Sequence, residues 1–394
     1  MVNSNSNDYD IAIAGAGAAG LTLLLYILDS GLSDKFNILV VDKSLKPDNS
    51  KTWCFWDKGN LTINDFIYHE WETLTFSAFG NTYRQQLKEY HYHCVRSLDY
   101  STKILERASL DKNITFLEAE IVDFTSNGEI ASVITSAGTF DCKWVFQSVL
   151  RPRDYNDAKV DSSLLQHFIG WEIETDEALF DPDTATLMDF NTSQENGVTF
   201  FYVLPFTKRK ALIEYTLFSG NLLDTHIYED ALEHYIHEEF GLERGQYTIT
   251  RVEKGAIPME DRVYQQWYCN RVMNTGTVGG FTKPTTGYTF TRLHEMSKII
   301  VAALEKGEKV PLIKASDYRF RVYDIILLYL LKHEVDISVK IFRDLFKKNN
   351  FDRILQFLDE KTNFFQELSI FSKLSYMPFF RSIYKMKHRI VTGA

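Results

Sequence analysis

The sequence predicts an α/β fold in which a Rossmann-type parallel sheet carries an inserted antiparallel β-sheet and a helical C-terminal region. A short apolar strand, a glycine-rich turn and an apolar helix open the chain at residues 9–30. Strand-like runs rich in Phe and Tyr fill the middle, and an apolar, basic and helical composition follows Pro311. At roughly 150 residues per domain, the 394 residues suffice for two or three such units.

The composition is that of an ordinary globular protein, with 45% hydrophobic and 24% charged residues. The 43 basic and 53 acidic residues give a net charge of −10, which argues against a nucleic-acid partner. The four cysteines form no CxxC pair, which favours a reducing, cytoplasmic compartment. Phe, Tyr and Trp make up 14% of the chain. Either large aromatic cores or a long apolar ligand against aromatic walls would explain that figure.

Residues 11–28 carry no charge and are long enough to raise the question of a membrane span. Three glycines lie in this run, and Asp8 and Asp10 stand before it in place of the basic segment of a signal peptide. We therefore predict a buried strand and helix. The next apolar runs, such as Ile325–Leu331, are too short to cross a bilayer, so any membrane contact is expected at the surface.

The first predicted elements form a βαβ unit of the parallel type: a strand at 9–14, a helix at 18–30 and a strand at Ile38–Val41 that ends at Asp42. The pattern then predicts antiparallel strands within 61–90, a helix at 97–109, strands near 114–118, 130–136 and 143–149, strands at Phe168–Glu174, Thr199–Leu204 and Ala211–Phe218, and helices at 228–240 and 289–306. We expect a discontinuous cofactor domain of 1–60, 91–154 and 255–310, a substrate domain of 61–90 and 155–254, and a helical region of 311–394.

The segment Gly15-Ala-Gly17-Ala-Ala-Gly20 has the context of a dinucleotide-binding motif, because it follows a strand and opens a helix. Gly15 permits the tight turn, Gly17 lets the backbone approach a pyrophosphate, and Gly20 lets the helix pack on the strand. The helix N-terminus offers N–H groups and a positive dipole to the phosphates. Asp42, 22 residues beyond the last glycine, can accept hydrogen bonds from ribose hydroxyls. A glycine-rich turn of another α/β fold is the alternative.

A second glycine-rich segment, Gly276 to Tyr288, lies directly before the 289–306 helix. Two such segments, each at a helix N-terminus, suggest one cofactor held at both ends. A flavin dinucleotide needs this arrangement, since its diphosphate binds at one turn and a helix dipole stabilises negative charge on the reduced ring. A structural loop that caps a helix is the alternative.

Glu214 lies inside an apolar, strand-like run, where a carboxylate is costly unless it is paired or its pKa is raised. A raised pKa would make it a general acid at neutral pH. The alternation puts Leu212, Glu214 and Thr216 on one strand face. A solvated face is the alternative.

Two further features of the sequence give weaker functional predictions. His91 and His93 fall on one strand face, but no acidic or Cys/His cluster in the sequence supports them as ligands, so we expect no metal site. The basic stretch Arg381–Arg389 could contact anionic lipid headgroups. A solvated terminus is the alternative.

With these motifs in order, the whole chain resembles the bacterial lycopene β-cyclases, flavoproteins of carotenoid synthesis. Besides the glycine-rich opening, the resemblance rests on Lys51–Trp56, Phe168–Glu172, Tyr202–Pro205, Leu212–Thr216, Gly255–Pro258 and Pro284–Tyr288, followed by a helical C-terminal third. Lys51–Trp56 is similar to the family's HTWSFH-like stretch, with Lys51 and Trp56 in place of its histidines.

Two further departures concern the cofactor and the acid. Gln147-Ser148 stands where the family often has Asp-Gly, which could alter a cofactor contact without abolishing binding. Tyr215 stands where the family has a second acid after the glutamate. Glu214 then works alone, or another carboxylate substitutes, and Glu172 is the residue we expect.

The resemblance implies a Rossmann-type FAD-binding fold and an intramolecular lyase or isomerase that converts the ψ ends of lycopene into β rings, giving γ- and then β-carotene. The reaction has no net redox change: reduced FAD stabilises a carbocation, and NAD(P)H keeps the flavin reduced. Glu214 would be the acid and Glu172 an assisting carboxylate. Lycopene and related carotenes would enter from lipid, so we expect peripheral attachment to the inner face of the cell membrane.

The residues expected to bind the cofactor are Gly15, Gly17, Ala18, Ala19, Gly20, Asp42, Lys43, Arg96, Gly279, Gly280, Thr286 and Gly287. The alternative functions are an FAD-dependent monooxygenase or isoprenoid reductase of the same fold, and a carotenoid-binding flavoprotein without turnover. The first two usually carry Gly-Asp in the second flavin motif, where this chain has Gly279-Gly280-Phe281.

Overall fold

A computed structural model describes residues 9–61, 63–150 and 160–391. The strands are β1 (Tyr9–Ala14), β2 (Ile38–Asp42), β3 (Thr52–Asp57), β4 (His69–Trp71), β5 (Thr73–Ala78), β6 (Asn81–Gln86), β7 (His91–Arg96), β8 (Ile114–Glu118), β9 (Ile121–Ser126), β10 (Ala131–Thr135), β11 (Gly138–Gln147), β12 (Ser163–Thr175), β13 (Thr184–Asp189), β14 (Val198–Thr207), β15 (Lys210–Ser219), β16 (Tyr247–Glu260), β17 (Trp267–Cys269) and β18 (Val272–Asn274). The helices are α1 (Ala18–Ser30), α2 (Ser97–Ser109), α3 (Thr225–Phe240), α4 (Phe290–Glu305), α5 (Tyr318–His333), α6 (Val335–Lys348), α7 (Phe351–Leu358), α8 (Phe364–Phe371) and α9 (Tyr376–Val391).

The first sheet has the predicted parallel core, with β1 between β2 and β11, and β8 beyond β2. β1 is apolar from Ile11 to Ala14 because both of its faces are covered there, as in other parallel sheets. Ile11 and Ile13 pack into one buried cluster, and Ala12 and Ala14 into another. α1 spans the predicted residues 18–30 and ends at Gly31, whose left-handed conformation closes the helix. The predicted α/β class is confirmed.

The second sheet has seven strands in the order β16-β12-β15-β14-β13-β5-β6, and all of its pairs are antiparallel except β13 with β5. β16 is among its longest strands, with 14 residues, yet the sequence pattern did not predict it. Gly255, Pro258 and several charged residues interrupt its alternation. β16 stands at the end of the seven-strand order, so it tolerates Pro258, which has no N–H to donate to a neighbouring strand.

The C-terminal helices share one buried cluster with the seven-stranded sheet. The ring of Phe346 in α6 stacks on Phe76 of β5 at 4.4 Å, and Phe342 stacks on Phe190 at 5.5 Å. Tyr235 of α3 stacks on Phe201 of β14 at 3.9 Å within a separate cluster. The described helices include none with the length and apolar character needed to cross a bilayer.

A third, three-stranded sheet of order β3-β7-β4 completes the frame. Within the predicted substrate segment 61–90, β4 joins this small sheet, whereas β5 and β6 join the seven-stranded one. The domain boundaries stay predictions, and the one at 154/155 lies outside the described residues.

Candidate active site

A cavity of about 450 Å³ lies where the first glycine turn, the second glycine-rich segment and the seven-stranded sheet meet. Its lining includes Gly17, Ala18 and Ala19 from the first turn, Gly276, Thr277, Thr286 and Gly287 from the second segment, and Gln166, Tyr202, Leu212, Glu214 and Glu253 from the sheet. The fold thus brings together motifs that are more than 250 residues apart in the sequence.

Each of the three glycines in the first turn has a different structural reason for lacking a side chain. Gly15 has φ +104°, and a Cβ atom there would clash with the hydroxyl of Ser148. A Cβ atom on Gly20 would clash with the carbonyl oxygen of Gly15, so the helix packs directly on the turn. Gly17 has an ordinary φ of −78°, and a Cβ atom there would meet nothing within 4 Å. Gly17 therefore leaves space beside the N-terminus of α1, where a phosphate would bind.

Asp42 closes the same turn, because its carboxylate accepts the Ala16 N–H at 2.6 Å and the Ser44 N–H at 3.1 Å. Lys43 is exposed, and neither Asp42 nor Lys43 is among the cavity-lining residues. Contact of these two residues with a ribose stays a prediction.

Of the three glycines predicted in the second segment, Gly287 lines the cavity, and Gly276, which was not predicted, lines it too. Gly276 has φ +61°, and a Cβ atom there would lie 2.9 Å from the Cβ of Ala19, so the two glycine segments are in contact. Gly279 and Gly280 do not line the cavity, since Gly279 packs against the Asn274 carbonyl and Gly280 against the ring of Tyr264. Gly276 and Thr277 line the cavity in place of this pair, and contact of Gly279 and Gly280 with a cofactor stays a prediction.

The other predicted residues of this segment do line the cavity. They are Thr286 and Gly287, next to Thr289 and Phe290 at the N-terminus of α4. Thr286 Oγ1 and Gln166 Oε1 are buried here and have no hydrogen-bond partner within the described parts of the chain. A hydroxyl and an amide oxygen without partners, close to the segment that leads into α4, fit the hydroxyl and amide groups of a flavin dinucleotide.

Glu214 points into this cavity, which rejects the alternative of a solvated face. Burial, and secondarily the charge of Glu253, raise the pKa of Glu214 to about 8, although a hydrogen bond from Thr216 at 2.8 Å opposes this. The carboxyl is therefore protonated at neutral pH and can act as a general acid.

Glu253 is the second carboxylate of the cavity, and sequence reasoning missed it because β16 was not recognised as a strand. It accepts hydrogen bonds from the backbone N–H of Thr52 at 2.7 Å, the Thr52 hydroxyl at 2.8 Å and Arg251 Nη1 at 2.8 Å. The strand pairing is what would have identified Glu253. Gly170 of β12 pairs with Glu253 on one side and with Glu214 on the other.

Glu172 lies two residues along β12 from Gly170 and is only 3% exposed, but it does not line the cavity. Burial alone would raise the pKa of Glu172, but Lys210, Arg96 and Arg251, at 3.0, 2.8 and 3.1 Å, hold it below its ordinary value. The second carboxylate that lines the cavity is thus Glu253 and not Glu172, and an assisting role for Glu172 stays a prediction. Arg96, predicted to bind the cofactor, is likewise engaged with Glu172.

Aromatic rings form much of the cavity wall. Trp53, Phe168, Tyr92, Tyr202, Tyr288 and Phe290 all line it. The hydroxyls of Tyr92 and Tyr288 lie 3.2 Å apart. Aromatic residues also fill the buried clusters, which confirms the explanation by large aromatic cores. A long apolar ligand against the cavity wall stays a prediction.

His91 and His93 have acidic partners that the sequence did not reveal. His91 Nδ1 lies 2.8 Å from Glu70 Oε1, and His93 Nε2 lies 2.9 Å from Asp57 Oδ1. Glu70, Glu72 and His91 place potential ligand atoms within 4.8 Å of one another. Exposed acidic groups often cluster in this way without an ion, and the absence of a metal site stays a prediction.

Comparison with known sequences identifies one family. The family model described as lycopene cyclase protein matches residues 10–384. A lycopene beta-cyclase of Paracoccus sp. (strain N81106 / MBIC 01143) is 29% identical over 140 residues, which is 34% of this chain and 35% of that protein. A lycopene beta-cyclase of Pantoea ananas is 25% identical over 269 residues, 64% of either chain. The chain thus matches less than two thirds of the length of these relatives.

Comparison with solved structures identifies the fold. A geranylgeranyl bacteriochlorophyll reductase-like protein of Thermoplasma acidophilum superposes with a TM-score of 0.57 at 12% identity, covering 98% of this chain and 100% of that one. A flavoprotein/dehydrogenase of Cytophaga hutchinsonii gives 0.60 at 15% identity, covering 89% and 92%. HpxO of Klebsiella pneumoniae, complexed with FAD, gives 0.60 at 13%, covering 90% and 98%. These likenesses show a fold shared with FAD-dependent flavoproteins.

Proposed function

This chain belongs to the lycopene cyclase protein family, and we propose that it is a lycopene β-cyclase that closes the ψ ends of lycopene into β rings. The observation that carries the proposal is Glu214, a carboxylic acid protonated at neutral pH in an aromatic cavity bordered by both glycine segments. An acid in an apolar, water-excluding site is what protonation of an alkene requires.

The reaction begins when Glu214 donates its proton to the terminal C1=C2 double bond. The electrons of the C5=C6 bond then attack C1, closing the ring and leaving a cation at C5. Loss of the C6 proton to a base forms the new C5=C6 bond. One proton is added and one is lost, so the product is an isomer of the substrate.

The rings of Trp53, Tyr202 and Tyr288 face this cavity and offer their π faces to the cation, an interaction that strengthens where water is excluded. When bound, reduced FAD supplies further negative charge to the site without net electron transfer, and NAD(P)H is the proposed reductant. Gly17 and Ala18 at the start of α1 would hold its diphosphate. Thr286 and Gln166, whose buried oxygens have no partner within the described residues, would hydrogen-bond the remainder.

We also place the enzyme at the inner face of the cell membrane, because lycopene is insoluble in water. Exposed apolar side chains on α8 and α9 support this: Phe364, Phe365, Leu368, Met377, Phe380 and Tyr384. The basic stretch contributes less than predicted, since Arg389 is buried against Asp261 at 3.0 Å and Arg381 is paired with Glu334 at 2.8 Å. Lys385 and Lys387 are exposed beside these apolar groups.

The deciding experiment is anaerobic incubation of the protein with lycopene and reduced FAD. The proposal expects γ- and β-carotene, both of unchanged mass. In a parallel incubation with oxygen, a product heavier by one oxygen atom would indicate a monooxygenase. A product heavier by two hydrogen atoms in the anaerobic incubation would indicate a reductase. Recovery of bound but unchanged lycopene would indicate a carotenoid-binding protein without turnover.

A further inference from the structure

We propose that Glu253 is the base of the reaction, accepting the proton that leaves C6 and returning it to Glu214 across Gly170. This inference rests on the proposed function and assigns the step that the function leaves open. It also explains why Tyr215 can stand directly after Glu214: the second carboxylate comes from another strand.

The sheet register places the two carboxylates on one face. Gly170 of β12 pairs with Glu214 of β15 on one side and with Glu253 of β16 on the other. Neighbouring strands are about 4.8 Å apart, so the two glutamates start from backbones two strand spacings apart, with only a glycine between them. A Cβ atom on Gly170 would lie 3.3 Å from the Cβ and 3.4 Å from the Cγ of Glu214. The Glu214 side chain therefore leans over Gly170, towards Glu253.

Three hydrogen bonds hold Glu253 in place, and the one from Arg251 is also an ion pair. Thr52 donates its N–H and its hydroxyl, and Arg251 donates Nη1. Arg251 is fixed in turn by Glu172 at 3.1 Å and by the Thr52 hydroxyl at 2.8 Å. Glu253 is 2% exposed, and its carboxylate oxygens accept hydrogen bonds from a guanidinium and two other donors.

The last step of the reaction does not require a strong base. The C6–H bond next to a cationic carbon is strongly acidic, so a carboxylate suffices to break it. The negative charge of Glu253 also attracts the cation before the proton is lost. A carboxylate has about four lone-pair positions, and the bonds from Thr52 and Arg251 leave room for one more proton.

The proton balance closes within the pair. Glu214 begins as the acid and becomes a carboxylate when its proton moves to C2, while Glu253 begins as a carboxylate and becomes an acid when it takes the proton from C6. The proton then passes from Glu253 to Glu214, whose pKa burial and the charge of Glu253 raise, and the starting state is restored without solvent.

The test compares Glu253→Gln with Glu214→Gln and with Glu174→Gln, which changes an exposed glutamate of the same strand as Gly170. Each protein is incubated with reduced FAD and lycopene in D₂O. For Glu253→Gln we expect cyclisation to fall about 100-fold and the recovered lycopene to carry deuterium in its end groups. Deuterium enters because Glu214 still protonates the substrate, and the cation, lacking a base, returns to lycopene. Glu214→Gln should give neither product nor deuterium, and Glu174→Gln should match the wild type.

A fall of less than about tenfold in Glu253→Gln, or lost cyclisation without deuterium in the recovered lycopene, would overturn the assignment. Should that variant not fold, Arg251→Met/Glu253→Gln removes the ion pair as a unit, and Glu172 keeps Arg96 and Lys210 as partners. The same deuterium pattern is expected of the double variant. A wild-type protein that forms no cyclic product would overturn the proposed function itself, an outcome seen without any variant.

Discussion

Gly20 packs so closely on Gly15 that a Cβ atom on Gly20 would overlap the carbonyl oxygen of Gly15. Three residues earlier, at the N-cap of α1, a Cβ atom on Gly17 would by contrast face open space. The two positions therefore separate what the turn needs for folding from what it needs for a ligand.

Gly17→Val should fold but lose its flavin, since the branched side chain fills the space next to the α1 N-terminus that the diphosphate requires. The measurement is flavin absorbance per mole of purified protein, together with thermal unfolding. Gly20→Ala is the control, and we expect it to lower stability because the turn itself must move. Unchanged flavin content in Gly17→Val would remove the dinucleotide interpretation.

Glu214→Gln keeps the shape of the side chain but has no proton of comparable acidity to give. Cyclisation should fall by at least ~100-fold, with flavin and lycopene still bound. Glu214→Asp should be intermediate, since its carboxyl is one methylene further from the substrate. A near wild-type rate for Glu214→Gln would place the acid elsewhere.

The rate of cyclisation should be level at neutral pH and fall as the pH rises through about 8, the pKa to which burial raises Glu214. The sign follows from the acid role, because only the protonated form donates. The fold favours that same form, so this group's stabilising contribution is complete below its unfolded pKa and is lost as the pH rises through about 8. Single-turnover rates across the neutral and alkaline range test this; a rate that keeps rising with pH would contradict it.

Glu172→Gln should destabilise the protein more than it impairs the chemistry. Removing one partner from a buried network leaves Arg96, Lys210 and Arg251 undercompensated, at a cost of about 3–5 kcal/mol. Urea unfolding measures this, with the exposed Glu174→Gln expected within about 0.5 kcal/mol of wild type. The loss of cyclisation should be smaller than in Glu214→Gln. An equal loss in a stable, flavin-bound protein would return Glu172 to the chemistry.

Met377→Glu/Phe380→Glu should weaken co-sedimentation with anionic vesicles by tenfold or more, since burying each apolar side chain is worth about 1.5–3 kcal/mol. Point variants are preferable to truncating α9, because a truncation would also remove the buried pair of Arg389 with Asp261. Leu110→Glu, at an exposed apolar residue next to α2, is the matched control. Equal binding by both variants would exclude α9 as the membrane contact.

Much of the parallel sheet could be predicted because its signals are local. Gly15, Gly17 and Gly20 between an apolar strand and an apolar helix specify a βαβ turn within thirty or so residues, and α1 and α2 have the predicted bounds. Glu214 stood out for a similar reason, as a single carboxylate inside an apolar run. Such features depend on neighbours in sequence, which one chain displays directly.

Which residues meet at the site was decided by pairing between distant segments. Glu172 and Glu253 both lie near Glu214 on one sheet face, and only the register of β12 with β16 puts Glu253 opposite Gly170 and Glu172 two residues away. Likewise, Gly276 reaches Ala19, while Gly279 and Gly280 turn away. The sequence by itself determined the fold class and singled out Glu214 as the candidate acid. Which second carboxylate and which glycines line the cavity was decided by the tertiary structure, because a strand's side chains alternate faces and a shift of one residue in pairing reverses what each side chain meets.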